Sequence, residues 1–255
     1  MTTNIAPTPN NNLSEDIPAS KRIWEFCLVA GMVLWGIGIV LWLEQGMDEK
    51  VLFYYNTARI AHGPGIAIQE WLTSYGMAVI SGIYVMYLLV SQFSQRLDVS
   101  KTIYFYTICS YGISGIVGDL LKEVFARPRP LATYGNEIFV LSDAMIPAMP
   151  SGHATKSVAL AIPFILLVSN KDNLHRIIKV IMIVLAGGVC FSRIVLGAHY
   201  VSDVFAGIGM GIIGLPFTML FAKMLLKRMK TEQLPILSKV WGVLLIFLTV
   251  VFMAM

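Results

Sequence analysis

The chain has 255 residues, of which 56% are hydrophobic and only 13% charged, and its mean hydropathy is +0.72, far outside the range of soluble globular domains. That composition excludes a soluble enzyme and describes an all-α, polytopic membrane helix bundle, since runs of about 20 apolar residues cross a bilayer as helices. A net charge of +4 is no argument for a nucleic-acid partner, because membrane topology accounts for most of the basic residues.

Residues 1–20 are rich in Asn, Pro, Thr and Ser, so they cannot offset the entropy of folding and are expected to form a disordered cytoplasmic tail. Lys21 and Arg22 precede the first apolar run, 23–43. It is long for a signal peptide and no small-x-small cleavage site follows it, so a retained signal anchor is expected. Residues 44–74 mix acids (Glu44, Asp48, Glu49, Glu70) with aromatics and are interrupted at His62-Gly-Pro-Gly, a pattern for short interfacial helices. Spans two and three, 75–93 and 102–125, are joined by a short polar turn. The third carries Asp119 near its end and runs into KEVFARPRP, residues 122–130.

A polar loop follows, and Pro150 and Ser151 then open the fourth span, 151–169, as a proline before a hydroxyl cap, with Gly152 and His153 in its first turn. The fifth span, 176–194, ends at Ser192-Arg193. The sixth, 200–222, contains Gly207, Gly209, Gly211 and Gly214, read as sites of close helix packing. A basic linker then leads to a seventh span, 236–255. The expected division is therefore a tail (1–20), a six-span membrane domain (21–226), and a basic linker with a C-terminal transmembrane helix (227–255). The three cysteines lie within apolar runs and form no disulfide framework.

Spans alternate in direction, so the end of the third, the start of the fourth, the end of the fifth and the start of the sixth share one side. The opposite side collects twelve of the basic residues, among them Lys21, Arg22, Arg96, Lys101, Lys171, Arg176, Lys179 and Lys230. By the positive-inside rule that side and the N-terminus are cytoplasmic, and the polar stretches face outward. Arg127 and Lys156 are among the few basic residues this scheme leaves over.

The outward stretches are where the chemistry gathers. In SRIVLGAHYVSD, residues 192–203, a helix running from Ala198 would put His199 and Asp203 on one face, the carboxylate holding one imidazole nitrogen and leaving the other free to attack. The alternative is a helix start that these two side chains merely cap and solvate. Lys122, Arg129 and Arg193 converge beside His153 and His199. Three cations at a membrane boundary are strongly unfavourable unless an anion joins them. A phosphate fits, with Ser151 and the Gly152 N–H adding donors at a helix start. Snorkelling at span ends explains one such cation better than three. No cluster has metal-ligand spacing, so no metal and no cofactor are expected.

These three stretches resemble the type 2 phosphatidic acid phosphatases, a family sharing its core with the vanadium haloperoxidases. The family pattern K-x6-RP, PSGH and SR-x5-H-x3-D is met without departure at 122–130, 150–153 and 192–203. The resemblance implies a six-helix core in which His199 takes the phosphoryl group, Asp203 holds the other ring nitrogen, and His153 protonates the leaving oxygen. Lys122, Arg129, Ser151, Gly152 and Arg193 would cradle the phosphate. Asp119, one turn before Lys122, is expected to pair with it. Lys156, in PSGHATK, either snorkels to the headgroups or binds a second anionic group such as the far phosphate of a pyrophosphate lipid.

The expected activity is a membrane lipid phosphatase at the outer face of the cytoplasmic membrane, its partners being a lipid phosphate and the surrounding lipids. Isoprenyl pyrophosphate, phosphatidylglycerol phosphate, phosphatidate and lipid A phosphate all fit, and no oligomeric state is implied. The alternatives are a phosphotransferase passing the group to another lipid, and a non-catalytic phospholipid-binding or transport protein, which would not need the two histidines. A haloperoxidase is disfavoured because those relatives are soluble.

Overall fold

The computed structural model describes residues 17–44, 46–56, 65–90, 102–140, 146–170 and 172–226, with Val240, Val243, Leu244, Phe247 and Val251 as separate helical positions. Most of the expected seventh span, the linker before it, residues 1–16, His62 and the topological markers Arg96, Lys101, Lys171 and Lys230 lie outside the described residues.

Six long helices stand where six spans are expected: α1 (Ile17–Glu44), α3 (Ile66–Val90), α4 (Thr102–Phe125), α6 (Gly152–Leu167), α7 (Asn173–Val195) and α8 (Val201–Leu226). Two short helices complete the set, α2 (Gly46–Asn56) in the segment read as interfacial and α5 (Pro130–Tyr134), which a 3-10 turn (Gly135–Glu137) extends. Helix α3 starts nine residues before its apolar run, directly after Pro64-Gly65 in the sequence. A helix satisfies its own backbone whatever its side chains, so hydropathy marks the membrane-buried part and not the helix end.

Helix α8 is central, packing along α1 over most of its length and against α4 and α6, while α7 packs on α3 and α6. The expectation for its glycines holds in the contacts. A Cβ on Gly209 would sit 2.6 Å from the Gly31 carbonyl oxygen of α1, and one on Gly207 2.7 Å from the Ser151 oxygen, so any larger residue would push the helices apart. Between α3, α4, α6 and α7 lies a core of Tyr84, Tyr87, Tyr104, Leu160, Phe164 and Met182. The buried Tyr84 hydroxyl donates to the Leu160 carbonyl (2.8 Å) and accepts from the Phe164 N–H (3.1 Å), tying α3 to the turn of α6 that carries Pro163.

Apolar side chains also face outward, including Phe26, Val29, Met32 and Leu43 on α1 and Ile177, Val180, Ile183 and Val184 on α7. Such a girdle suits lipid and not water. By length and composition Lys21–Glu44, Asn173–Val195 and Val201–Phe221 are each able to cross a membrane. Lys179, counted from sequence among the residues marking the cytoplasmic side, is only 8% exposed and donates to the Val168 carbonyl and to Asn170 Oδ1, both at 2.6 Å. It closes the end of α6, so its charge is matched to the carbonyl at the end of a helix.

The end of α4, the start of α6, the end of α7 and the start of α8 meet at one end of the bundle. Backbone hydrogen bonds link them: Ala148 N–H to Arg127 O (2.8 Å) and Ser151 N–H to Asp203 O (2.9 Å).

Candidate active site

The stretch 192–203 does not form one helix. Helix α7 ends at Val195, the chain turns through Gly197 at φ +65°, and α8 begins only at Val201. A Cβ at Gly197 would lie 2.3 Å from the Phe139 oxygen and 2.9 Å from Asn56 Nδ2, so glycine is needed both for the backbone angle and for the space. The Ala198 and His199 N–H groups both turn back to the Arg193 carbonyl at 3.1 Å. His199 is thus in the turn, not on the helix face that regular spacing suggests. It still meets Asp203, whose Oδ2 accepts from the Tyr200 N–H (2.9 Å) and lies 3.4 Å from His199 Nδ1. That is a long hydrogen bond, of a kind that tightens when a substrate loads the imidazole.

His199 is 1% exposed. Burial first, then the charges of Arg193, Arg129 and Lys122, hold its pKa well below the usual 6.5, opposed by a hydrogen bond with the Ala148 backbone. The ring is therefore neutral at pH 7, the form in which one nitrogen carries a lone pair.

Around it stand the other residues singled out from sequence. The field at the His153 imidazole, in the first turn of α6, comes from Arg193, His199, Lys156 and Arg129. Arg193 NH1 donates to Thr73 Oγ1 of α3 (2.9 Å), and because the Ser192 hydroxyl donates to the Val189 carbonyl (2.8 Å), the Thr73 hydroxyl donates to Ser192 Oγ (2.9 Å). Arg193 Nε is buried without a partner among the described residues, and so is Ser151 Oγ. Ser151 occupies the N-cap position of α6, yet its hydroxyl makes no cap hydrogen bond, which corrects the expectation of a serine cap. Two orphaned polar atoms at one site are costly unless a ligand takes them.

Lys122 Nζ approaches the start of α6, 3.1 Å from where a Gly152 Cβ would be, and pairs with Asp119 Oδ1 at 2.6 Å as expected. Lys156, whose side chain is 30% exposed, joins the same acid: its Nζ lies 3.7 Å from the other Asp119 oxygen. Arg129 Nε donates to the Ile146 carbonyl (2.8 Å).

Three residues of this site escaped the sequence reading. Arg127, left over by topology, is 6% exposed and lies against Asp203 (2.6 Å) and Asp48 (2.8 Å). Asp48, read as an interfacial acid, is 1% exposed, and it also accepts from the Ser202 N–H (2.9 Å) and hydroxyl. Thr73 carries no sequence signal at all. The one available clue was Arg127 itself, a second arginine in RPRP with no topological place.

The PAP2 superfamily pattern matches residues 103–227. Lipid A 1-phosphatases of Rhizobium etli and Rhizobium johnstonii are each 33% identical, over 110 residues (42% of this chain, 44% of theirs) and 102 residues (38% and 39%). The chain thus spans less than half the length of these relatives. The crystal structure of a transmembrane PAP2 type phosphatidylglycerolphosphate phosphatase from Bacillus subtilis shares the fold, with a TM-score of 0.52 at 18% identity over 81% of this chain and 99% of that one. The K-x6-RP, PSGH and SR-x5-H-x3-D stretches all fall inside the matched residues and gather at one end of the bundle, and residues 103–227 of this helical membrane protein are a PAP2 superfamily domain.

Proposed function

We propose that the protein is a membrane lipid phosphatase that removes a phosphate or pyrophosphate group from a lipid through a phosphohistidine, at the outer face of the cytoplasmic membrane. The observation that carries this reading is a neutral, buried His199 held by Asp203, facing a second histidine among Lys122, Arg129 and Arg193, with the donors Ser151 Oγ and Arg193 Nε unpaired. A phosphate supplies what those donors and cations lack. The relatives named above support it further, since by their names they are phosphatases of lipid-borne phosphate.

In the first step the free nitrogen of His199 bonds to phosphorus as the bond to the lipid oxygen breaks, and His153 gives that oxygen its proton. Asp203 stabilises the imidazolium character that develops. The guanidinium groups, Lys122, Ser151 and the Gly152 N–H take up the charge spread over the equatorial oxygens. Water then attacks phosphorus, its proton passes to His153, and the bond to His199 breaks. Asp119 keeps Lys122 aimed at the start of α6.

Purified protein offered isoprenyl pyrophosphate, phosphatidylglycerol phosphate, phosphatidate and lipid A should release inorganic phosphate from at least one. It should also form an acid-labile phosphoenzyme that His199→Ala lacks. Release from none, with no phosphoenzyme, overturns the reading, and label appearing on a second lipid makes the protein a phosphotransferase. Impermeant labelling of single cysteines in the loop 125–149 from outside the cell tests the orientation.

A further inference from the structure

Beneath the His199–Asp203 pair lies an ionic cluster that the phosphoryl chemistry above does not use. Asp203 has two carboxylate oxygens, and only Oδ2 faces His199; Oδ1 accepts from Arg127 NH1 at 2.6 Å. The same guanidinium reaches the other way, NH2 donating to Asp48 Oδ2 at 2.8 Å and NH1 also to Ser202 Oγ. The ring closes through Ser202, whose N–H and hydroxyl both donate to Asp48. Its position is fixed from every side. The Arg127 carbonyl holds the Ala148 N–H, and its guanidinium carbon lies 4.1 Å from the Tyr200 ring centroid and 5.6 Å from that of Trp42. Arg127, Asp48 and Asp203 are 6%, 2% and 0% exposed at their side chains.

We infer that Arg127, shared between Asp48 and Asp203, is a positioning residue that fixes the Asp203 carboxylate toward His199, and that α2 belongs to the reaction machinery by supplying Asp48. The physical reason lies in the charge count. One guanidinium against one carboxylate would neutralise Asp203 and weaken its hold on the imidazole. With Asp48 as a second claimant, two carboxylates share one cation, and the cluster keeps a negative charge directed at His199. The fork geometry matters as much, because two donors on one rigid plane set the angle between the two acids in a way a lysine cannot. The Arg127 guanidinium hydrogen-bonds Asp203, Asp48 and Ser202, so it acts through Asp203.

This inference rests on the lipid-phosphatase reading, and the test separates the two. In purified protein Arg127→Met should lower kcat about 10- to 1,000-fold with KM changed less than about threefold, because the lost interaction serves the transition state and not phosphate binding. Arg127→Lys should fall between Met and wild type. Asp48→Asn should lose about 3- to 30-fold in kcat. In an Asp203→Asn background each of these changes should cost less than about threefold more, since residues acting through one another are not additive. Should Arg127→Met fail to fold, the Lys and Asp48 variants carry the same comparison. Losses that multiply with that of Asp203→Asn, a KM effect without a kcat effect, or wild-type rates in both Arg127→Lys and Asp48→Asn overturn the inference. Activity surviving in His199→Ala sinks the reaction reading itself, whereas a dead His199→Ala beside fully active Arg127 and Asp48 variants sinks only the positioning role.

Discussion

Two ionic clusters flank the candidate site, and the same residue types do different work in them. On the α8 side Arg127, Asp48 and Asp203 are closed off from solvent, with side-chain exposures of 6%, 2% and 0%. On the α4–α6 side Asp119 is 53% exposed and joins Lys122 (9%) to Lys156 (30%). Removing one partner of a buried pair leaves an uncompensated charge and costs about 3–5 kcal/mol, whereas an exposed pair contributes about 0–1 kcal/mol. The buried cluster therefore sets geometry, and the open one adjusts charge at the rim.

The sharpest break of that comparison starts at the reacting group. His199→Ala should abolish turnover, and Asp203→Asn should keep the fold while losing about 10- to 10,000-fold in rate, measured as phosphate release. Next in size is His153. Its Ala variant should lose about 100- to 10,000-fold on an alkyl phosphate and far less on an aryl phosphate with an acidic phenol, which needs no proton on leaving. Equal losses on both would remove it as the acid.

Stability separates the clusters directly. In detergent, thermal unfolding should shift strongly for Arg127→Met and by little for Asp119→Asn, because only the first strands two buried carboxylates. A large shift for Asp119→Asn would mean the open cluster is structural after all.

Acidity gives a smaller effect of defined sign. His199 has a folded pKa below its unfolded value, so it contributes stability above about pH 6.5 that is lost as pH falls below that value toward the folded pKa. The free enzyme should accordingly keep a neutral His199 down to pH values below about 6.5, placing any acid limb of kcat/KM from this group there and not above it. His199 titrating near pH 7 by NMR would contradict the burial that defines this side of the site.

The smallest effect belongs to Lys156. Its pairing with Asp119 leaves it partly committed, so Lys156→Met should raise KM for a pyrophosphate lipid only a few-fold and leave a monophosphate lipid unchanged. An effect on both lipids, or on neither, assigns it to the rim pair alone.

The amino-acid sequence by itself determined the helical membrane class, the places of six long helices and the three polar stretches, because apolar length and motif spacing are local quantities that survive without knowledge of partners. It also determined the Asp119–Lys122 pair, three residues apart on one helix. Helix ends escaped it where backbone geometry outruns hydropathy, as at the start of α3, and at 192–203, where Gly197 breaks the regular spacing and lifts His199 off α8. Only the tertiary structure decided which charges are buried together. Asp48 meets Ser202 across 154 positions, Arg127 meets Asp203 across 76, and Arg193 meets Thr73 across 120. Such pairings depend on which helix ends the packing of α1, α3 and α7 brings side by side, and no short-range pattern encodes that.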